Sequence, residues 1–230
     1  MYYIYALKIT KRLQMEEKGM RLLSKERQEK IIKYRFDIDK KRSYFAGLLL
    51  RYVLDIRYQL KERDINLDYN QFGKPLLQGR KDIGFNMSHA GDWVVCAFGP
   101  YTVGVDVEKA QSLGNGFSEY THTEKEWEYL RKIQDRNRRE RAEIELWTMK
   151  ESYLKAIGTG LTIMPNEFYI TKSNNHYTAV GGKNIKKGYA IQKGMLDCTH
   201  FYSICGKEKE IDVKVIEVDT KKIQYWIEKL

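Results

Sequence analysis

Apolar and polar positions along the chain follow two rhythms, one of strands and one of helices. The opening run Tyr2-Tyr3-Ile4-Tyr5-Ala6-Leu7 predicts a strand over 2–9. Ser24 is suited to cap a basic helix that runs to about Tyr34. Phe45, Leu48, Leu49, Tyr52, Val53, Ile56 and Leu60 then recur at i, i+3, i+4 and i+7, which gathers them on one face of an amphipathic helix. After a turn at Phe72-Gly73-Lys74-Pro75, three runs rich in Val, Phe and Trp predict strands near 82–88, 93–98 and 102–108.

The pattern breaks at 110–116, a Gly- and Ser-containing stretch that reads as a linker. Beyond it, Thr123 and Glu126 have capping-box spacing for a helix to about Ile133. A charged loop from Asp135 to Arg139 should precede a long helix that ends at Gly158 or Gly160. Short strands are expected in much of 167–218, and a last helix over about 220–229. Strands and helices in this order give an α+β fold rather than a doubly wound nucleotide fold. The expected organisation is an N-terminal half, 1–109, and a C-terminal half, 117–230.

Composition sharpens this picture in three places. With 42% hydrophobic residues and 13% aromatics, the 230-residue chain has a core to build and is not disordered. The net charge is +10, and residues 1–60 hold 15 Lys and Arg against 7 Asp and Glu. That concentration points to an anionic partner without choosing one. Cys96, Cys198 and Cys205 form neither a zinc spacing nor a disulfide framework, so a cytoplasmic setting is expected. No run approaches the apolar length of a membrane span, and neither secretion nor a membrane partner is expected.

Four segments carry candidate chemistry. In Val103-Gly104-Val105-Asp106-Val107-Glu108 the valines point to one face of a strand. Gly104, Asp106 and Glu108 point to the other, with the two carboxylates about 7 Å apart. Such a pair suits Mg²⁺, but taken alone these residues read first as a half-buried strand with a solvated acidic face. In the long helix, Ile144, Trp147, Glu151 and Leu154 share a face, so an acid interrupts an apolar stripe. A buried Glu151 must be paired, protonated or bound to metal, and Lys155 at i+4 offers the plainest partner. His89, in Phe85-Asn86-Met87-Ser88-His89, is placed at a strand-to-strand turn that could touch a ligand or do nothing. Phe72-Gly73-Lys74-Pro75 could stack a flat ring on Phe72 and Pro75 while Lys74 meets a phosphate. Gly158-Thr159-Gly160 and Gly114-Asn115-Gly116 lack phosphate-loop spacing, and His122, His176 and His200 lack metal spacing.

Taken together and in this order, the segments resemble the 4′-phosphopantetheinyl transferases, specifically the larger Sfp-type enzymes. The strand Val103 to Lys109, followed some 40 residues on by Trp147-Thr148-Met149-Lys150-Glu151-Ser152-Tyr153-Leu154-Lys155, is the specific signature. Phe72 to Pro75 and Phe85 to His89 match as well, and the likeness spans about residues 1–170.

That resemblance implies two similar α+β halves with coenzyme A, as substrate, and Mg²⁺ (or Mn²⁺) held between them. The phosphopantetheine arm would pass to a serine of an apo acyl or peptidyl carrier protein, releasing adenosine 3′,5′-bisphosphate. It implies Asp106, Glu108 and Glu151 as metal ligands, and Arg27, Lys30 and His89 on the adenosine 3′-phosphate. Ser43, Phe72, Gly73, Lys74, Pro75 and Ser88 would line the nucleotide pocket, Lys155 would neutralise a phosphate oxygen, and Lys150 would help shape the metal site. Arg27 stands where lysine is familiar and Phe72 where tyrosine often occurs. The general base would be Glu151, or a water linked to Glu108. A monomer is expected, with Lys33, Arg35, Lys40 and Lys41 facing an acidic carrier. The alternative is a basic nucleic-acid-binding protein without catalysis, which leaves the three acids unexplained.

Overall fold

Alternation in the first strand sets the layering of the protein. In β1 (Tyr2–Lys8), Tyr5 and Leu7 enter a core shared with helices, while Tyr2, Ile4 and Ala6 enter a different core between two sheets. The computed structural model describes residues 1–10, 12–110 and 120–230. The expected linker at 110–116 lies outside the described residues apart from Ala110.

Helices α1 (Glu17–Arg21), α2 (Lys25–Lys33) and α3 (Asp37–Tyr58) follow. Ser24 Oγ accepts the Arg27 backbone N–H at 3.3 Å and starts α2 as expected. Helix α3 begins earlier than its apolar stripe, because Asp37 to Ser43, polar apart from Ile38, form its first two turns. The turn at Phe72–Lys74 joins β2 (Leu67–Tyr69) to β3 (Pro75–Leu77), a hairpin too short to show in the alternation. Next come β4 (Gly84–Ala90), β5 (Trp93–Gly99) and β6 (Val103–Lys109), close to their expected limits.

Helix α4 (Glu124–Arg131) opens with the Thr123–Glu126 capping box. The charged segment at 135–139 is not a loop. Asp135 is the N-cap, its side chain accepting the Arg138 N–H, and 136–139 are the first turn of α5 (Arg136–Ile157). That helix stops at Gly158, whose φ of +69° suits glycine. Strands β7 (Tyr169–Ser173), β8 (His176–Val180), β9 (Ala190–Asp197), β10 (His200–Gly206) and β11 (Val213–Glu217), then helix α6 (Thr220–Lys229), complete the chain.

Strand partners differ from the simple division at 109. The first sheet has the order β11-β1-β5-β4, and the second β6-β10-β9-β8-β7. β6 therefore pairs with β10, not with its sequence neighbour β5, and β11 returns to run parallel with β1. Val103, Val105 and Val107 explain the first departure. They bury against the inner face of the first sheet, beside Ile4, Val95 and Ala97, which requires β6 to lie over that sheet instead of extending it. The tail has its own reason to return: Ile223 and Ile227 of α6 complete the helical core of the first half, and Trp226 Nε1 donates to Asp55 at 2.8 Å. The order of layers is thus helices, first sheet, second sheet, and the helix α5 over the far face of the second sheet. Among the described residues, no helix is long and apolar enough to cross a membrane.

Candidate active site

Strand β6 is covered on both faces, and the second cover brings the acids to their partners. Gly104 faces α5, and a Cβ there would stand 2.0 Å from the Ser152 carbonyl oxygen and 2.3 Å from the Ala156 nitrogen. Only glycine permits this approach. Asp106 and Glu108 follow on the same face, directly opposite the α5 residues Trp147, Glu151 and Lys155.

Asp106 is 3% exposed, which excludes a solvated acidic face. Its Oδ1 accepts from Lys155 Nζ at 2.6 Å and from Ser88 Oγ at 2.9 Å, and Lys155 also reaches Ser88 Oγ at 3.2 Å. Its Oδ2 is buried without a hydrogen-bond partner. Lys155 therefore pairs across the interface with Asp106, rather than along its own helix with Glu151. Burial alone would lower the Lys155 ammonium, but Asp106, Glu151 and Glu108 outweigh it and hold its pKa above the usual value. Trp147 Nε1 donates to Glu108 Oε1 at 3.2 Å. The Glu108 carboxyl is pushed up to about 7, first by burial and then by the Asp106 charge, against the pull of Trp147 and Lys155. Burial also raises Glu151; Lys155 opposes that shift and Asp106 adds to it.

These groups line one cavity of about 720 Å³ that reaches from the acids to the basic wall formed by Arg27 and Lys30. Arg27 Nη1 donates to the Ser43 carbonyl at 3.1 Å, and burial lowers its guanidinium pKa. His89 is the penultimate residue of β4 rather than part of the turn, and it stays exposed at the rim. The surrounding protein, with Arg42 beside it, holds its imidazole below the usual value. Ser88 and Asn86 point inward from the same strand. Asn86 Oδ1 accepts the Val105 N–H at 2.9 Å, so a side chain ties β4 to β6 where no ladder does.

A smaller cavity of about 310 Å³ adjoins the first and shares Gly73, Pro75, Asn86, Glu151 and Lys155 with it. Phe72 lines this second chamber. Lys74 has a different task from the phosphate contact expected of it. Its ammonium donates to the Val103, Lys155 and Ala156 carbonyls at 2.9, 2.6 and 3.0 Å and to Thr102 Oγ1 at 3.0 Å, fastening the hairpin turn to β6 and the end of α5. Burial pushes its pKa down to about 8.

Lys150 does not shape the acidic site either. It is fully buried on another side of α5, where Nζ holds Glu126 Oε2 at 2.5 Å and the Thr121 and Pro165 carbonyls at 2.9 and 2.8 Å. The structure also adds Glu26, Tyr34 and Tyr69 to the cavity wall. Tyr34 and Tyr69 gave no signal in the sequence, because each sits outside a motif, one capping the end of α2 and the other ending β2.

Asp106, Glu108 and Glu151 offer oxygen donors only, the chemistry of a hard divalent cation. Among the described residues, no three His, Cys, Asp or Glu side chains stand close enough to form a ready cation cage. The fit rests instead on the unpartnered Asp106 Oδ2 and on two carboxyls raised by burial and mutual charge, which a cation would relieve.

In this α+β protein, Arg27 and Lys30 and the buried Asp106–Lys155 centre line one cavity. Comparison with known proteins makes the class specific. Residues 13–100 match the family model described as 4′-phosphopantetheinyl transferase, N-terminal, and residues 102–198 match the 4′-phosphopantetheinyl transferase superfamily. The chain is 36% identical over 169 residues to 4′-phosphopantetheinyl transferase gsp of Aneurinibacillus migulanus, covering 74% of this chain and 70% of that one. It is 31% identical over 169 residues to 4′-phosphopantetheinyl transferase Sfp of Bacillus subtilis (strain 168), covering 73% and 75%. A mouse relative, L-aminoadipate-semialdehyde dehydrogenase-phosphopantetheinyl transferase, is 28% identical over 218 residues, covering 84% and 69%. The chain belongs to the 4′-phosphopantetheinyl transferase superfamily and is an enzyme of that activity. Nothing among these relatives supports the nucleic-acid-binding alternative.

Proposed function

We propose that the protein moves the 4′-phosphopantetheine group of coenzyme A onto a serine of an apo acyl or peptidyl carrier protein, with Mg²⁺ at the acidic site, and releases adenosine 3′,5′-bisphosphate. Arg27, Lys30 and His89 take the 3′-phosphate, and the purine lies by Phe72, Gly73 and Pro75. Ser43 and Ser88 supply polar contacts along the nucleotide. Lys155 and Ser88 meet the pyrophosphate. Asp106, Glu108 and Glu151 hold the cation, which when bound draws off charge from the pyrophosphate oxygens.

The serine Oγ forms a bond to the phosphorus that carries the pantetheine, and the pyrophosphate P–O bond breaks in line with it. The serine proton goes to a carboxylate, and the electron pair of the broken bond leaves with the bisphosphate. Glu151 takes that proton in the first of two routes. A water linked to Glu108 takes it in the alternative route, in which Glu151 serves the cation alone.

The carrying observation is Asp106. Its carboxylate is buried at the meeting of β4, β6 and α5, one oxygen held by Lys155 and Ser88 and the other left without a partner. A single chain supplies every wall of the cavity, which supports action as a monomer, and three free cysteines support a cytoplasmic setting. The test is to incubate the enzyme with coenzyme A, Mg²⁺ and several apo carriers and weigh the carrier. A gain of roughly 340 Da establishes the transfer, and no gain with any carrier refutes it. Calorimetric titration with Mg²⁺ tests the cation site separately, because Asp106→Asn should abolish the binding heat.

A further inference from the structure

The hairpin of β2 and β3 carries its inward face past the core and into the cavity. Leu67 pairs with Leu77 and Tyr69 with Pro75, so the four side chains share one face. Leu67 and Leu77 belong to the helical core of the first half, whereas Tyr69 and Pro75, nearer the tip, line the cavity. The tip is also tied to the end of α5. Asn70 Nδ2 donates to the Gly158 carbonyl at 2.7 Å, and Asn70 Oδ1 accepts the Phe72 and Lys74 N–H groups, each at 2.9 Å. Tyr69 is therefore placed by fixed neighbours on both sides, although it is 48% exposed.

Next to Tyr69 stands the first turn of α2. The Tyr69 hydroxyl is turned to the Glu26 carboxylate, with the Arg27 guanidinium within electrostatic reach, and Glu26, Arg27 and Lys30 all line the same cavity. Glu26 suits the first turn of a helix, yet it also puts a negative charge on a wall of two cations. Burial first, then Glu26, raises the Tyr69 pKa against the pull of Arg27, so the hydroxyl keeps its proton and remains a donor. Glu26 is exposed, and water replaces any bond it loses, so it can release that donor at little cost. A phosphate held by Arg27 and Lys30 carries more charge than the carboxylate and is the stronger acceptor.

We propose that Tyr69 and Glu26 set the specificity for the 3′-phosphate of the donor, Tyr69 by turning its hydroxyl from Glu26 to a phosphate oxygen, and Glu26 by competing for that hydroxyl. The inference rests on the transfer reading above. It adds two residues, one from α2 and one from a hairpin outside every motif, that tell coenzyme A from its 3′-dephospho form. The two act in opposite directions, which separates this role from a structural one.

The test compares two donors, coenzyme A and 3′-dephospho-coenzyme A, with one apo carrier and the full chain. In Tyr69→Phe, the ratio of kcat/KM for coenzyme A to that for the dephospho donor should fall about tenfold, through KM for coenzyme A. In Glu26→Gln the same ratio should rise about threefold. Calorimetric binding of adenosine 3′,5′-bisphosphate against AMP should show both changes with no carrier present. A Tyr69→Phe protein that changes both donors alike, or neither, overturns the proposal, because the residue then serves the hairpin alone. A ratio that falls in Glu26→Gln overturns the competition between the two acceptors. A wild type that uses both donors equally well overturns the proposal as well. A wild-type enzyme that loads no carrier from either donor refutes the transfer reading itself, an outcome distinct from these.

Discussion

Lys155 Nζ stands 2.6 Å from Asp106 Oδ1, and this pair joins helix α5 to strand β6 inside the cavity. Its two members come from sequence positions 49 apart and from different structural layers. Neither can keep its place if the helix and the strand separate.

Because they act together, their removal should not be additive. Asp106→Ala and Lys155→Ala are each expected to lower kcat/KM at least ~100-fold, and the double variant little further. Single-turnover transfer to an apo carrier measures this. Near-wild-type turnover by a folded Asp106→Ala protein would remove Asp106 from the mechanism.

Gly104 governs the distance between the same two elements. A methyl group there would meet the Ser152 carbonyl and the Ala156 nitrogen, both backbone atoms that cannot rotate away. Gly104→Ala should cost about 2 kcal/mol in urea unfolding and should lose transfer activity along with it. Stability and activity both unchanged would mean that α5 does not lie this close to β6.

Lys150 and Glu126 form a second cross-link, one of stability rather than chemistry. With 0% and 5% side-chain exposure, the pair also satisfies the Thr121 and Pro165 carbonyls and the Ile170 N–H. Lys150→Met leaves a buried carboxylate unpaired and should cost about 3–5 kcal/mol. Denaturant titration reads this, and Lys150→Met with Glu126→Gln should be less harmful than the sum of the two single changes.

His122 makes the second half sensitive to acid. It is 2% exposed, and burial first, with the Lys150 charge second, pushes its pKa down to about 4. The unfolded chain, with histidine near 6.5, binds the proton more readily than the folded one. The contribution of neutral His122 is therefore complete above about 6.5 and is lost as pH falls toward 4, roughly 3 kcal/mol in all. His122→Gln should flatten the stability profile in that window, measured by urea midpoints between pH 7 and pH 4.

Local structure was largely legible in the sequence, because caps and periodicity act over a few residues. Ser24, the Thr123–Glu126 box and Gly158 each mark a helix end where the structure has one. The site acids were legible for a related reason: Glu151 breaks an apolar stripe, and Asp106 with Glu108 alternates against three valines. Strand partners were not. Alternation in β6 says that one face is apolar, but not that the apolar cover is another sheet. Nor does a lysine reveal its acceptors. Lys74 sits in the Phe72–Pro75 turn and Lys150 beside Glu151, yet both ammonium groups are held by backbone carbonyls that come together only in the folded chain.

The return of β11 to β1 has a consequence for synthesis on the ribosome. Residues of the first sheet emerge early, but its outer strand is Val213–Glu217 and the helix that seals its core is Thr220–Lys229. β6 likewise waits for β10. The usual order, in which an N-terminal half folds while the rest is still being made, is closed to this chain. A nascent polypeptide must hold the outer edge of β1 unpaired until nearly all of these residues have left the exit tunnel. Chaperone demand should therefore peak late in translation, and a chain stopped before Val213 should be recognised as unfinished.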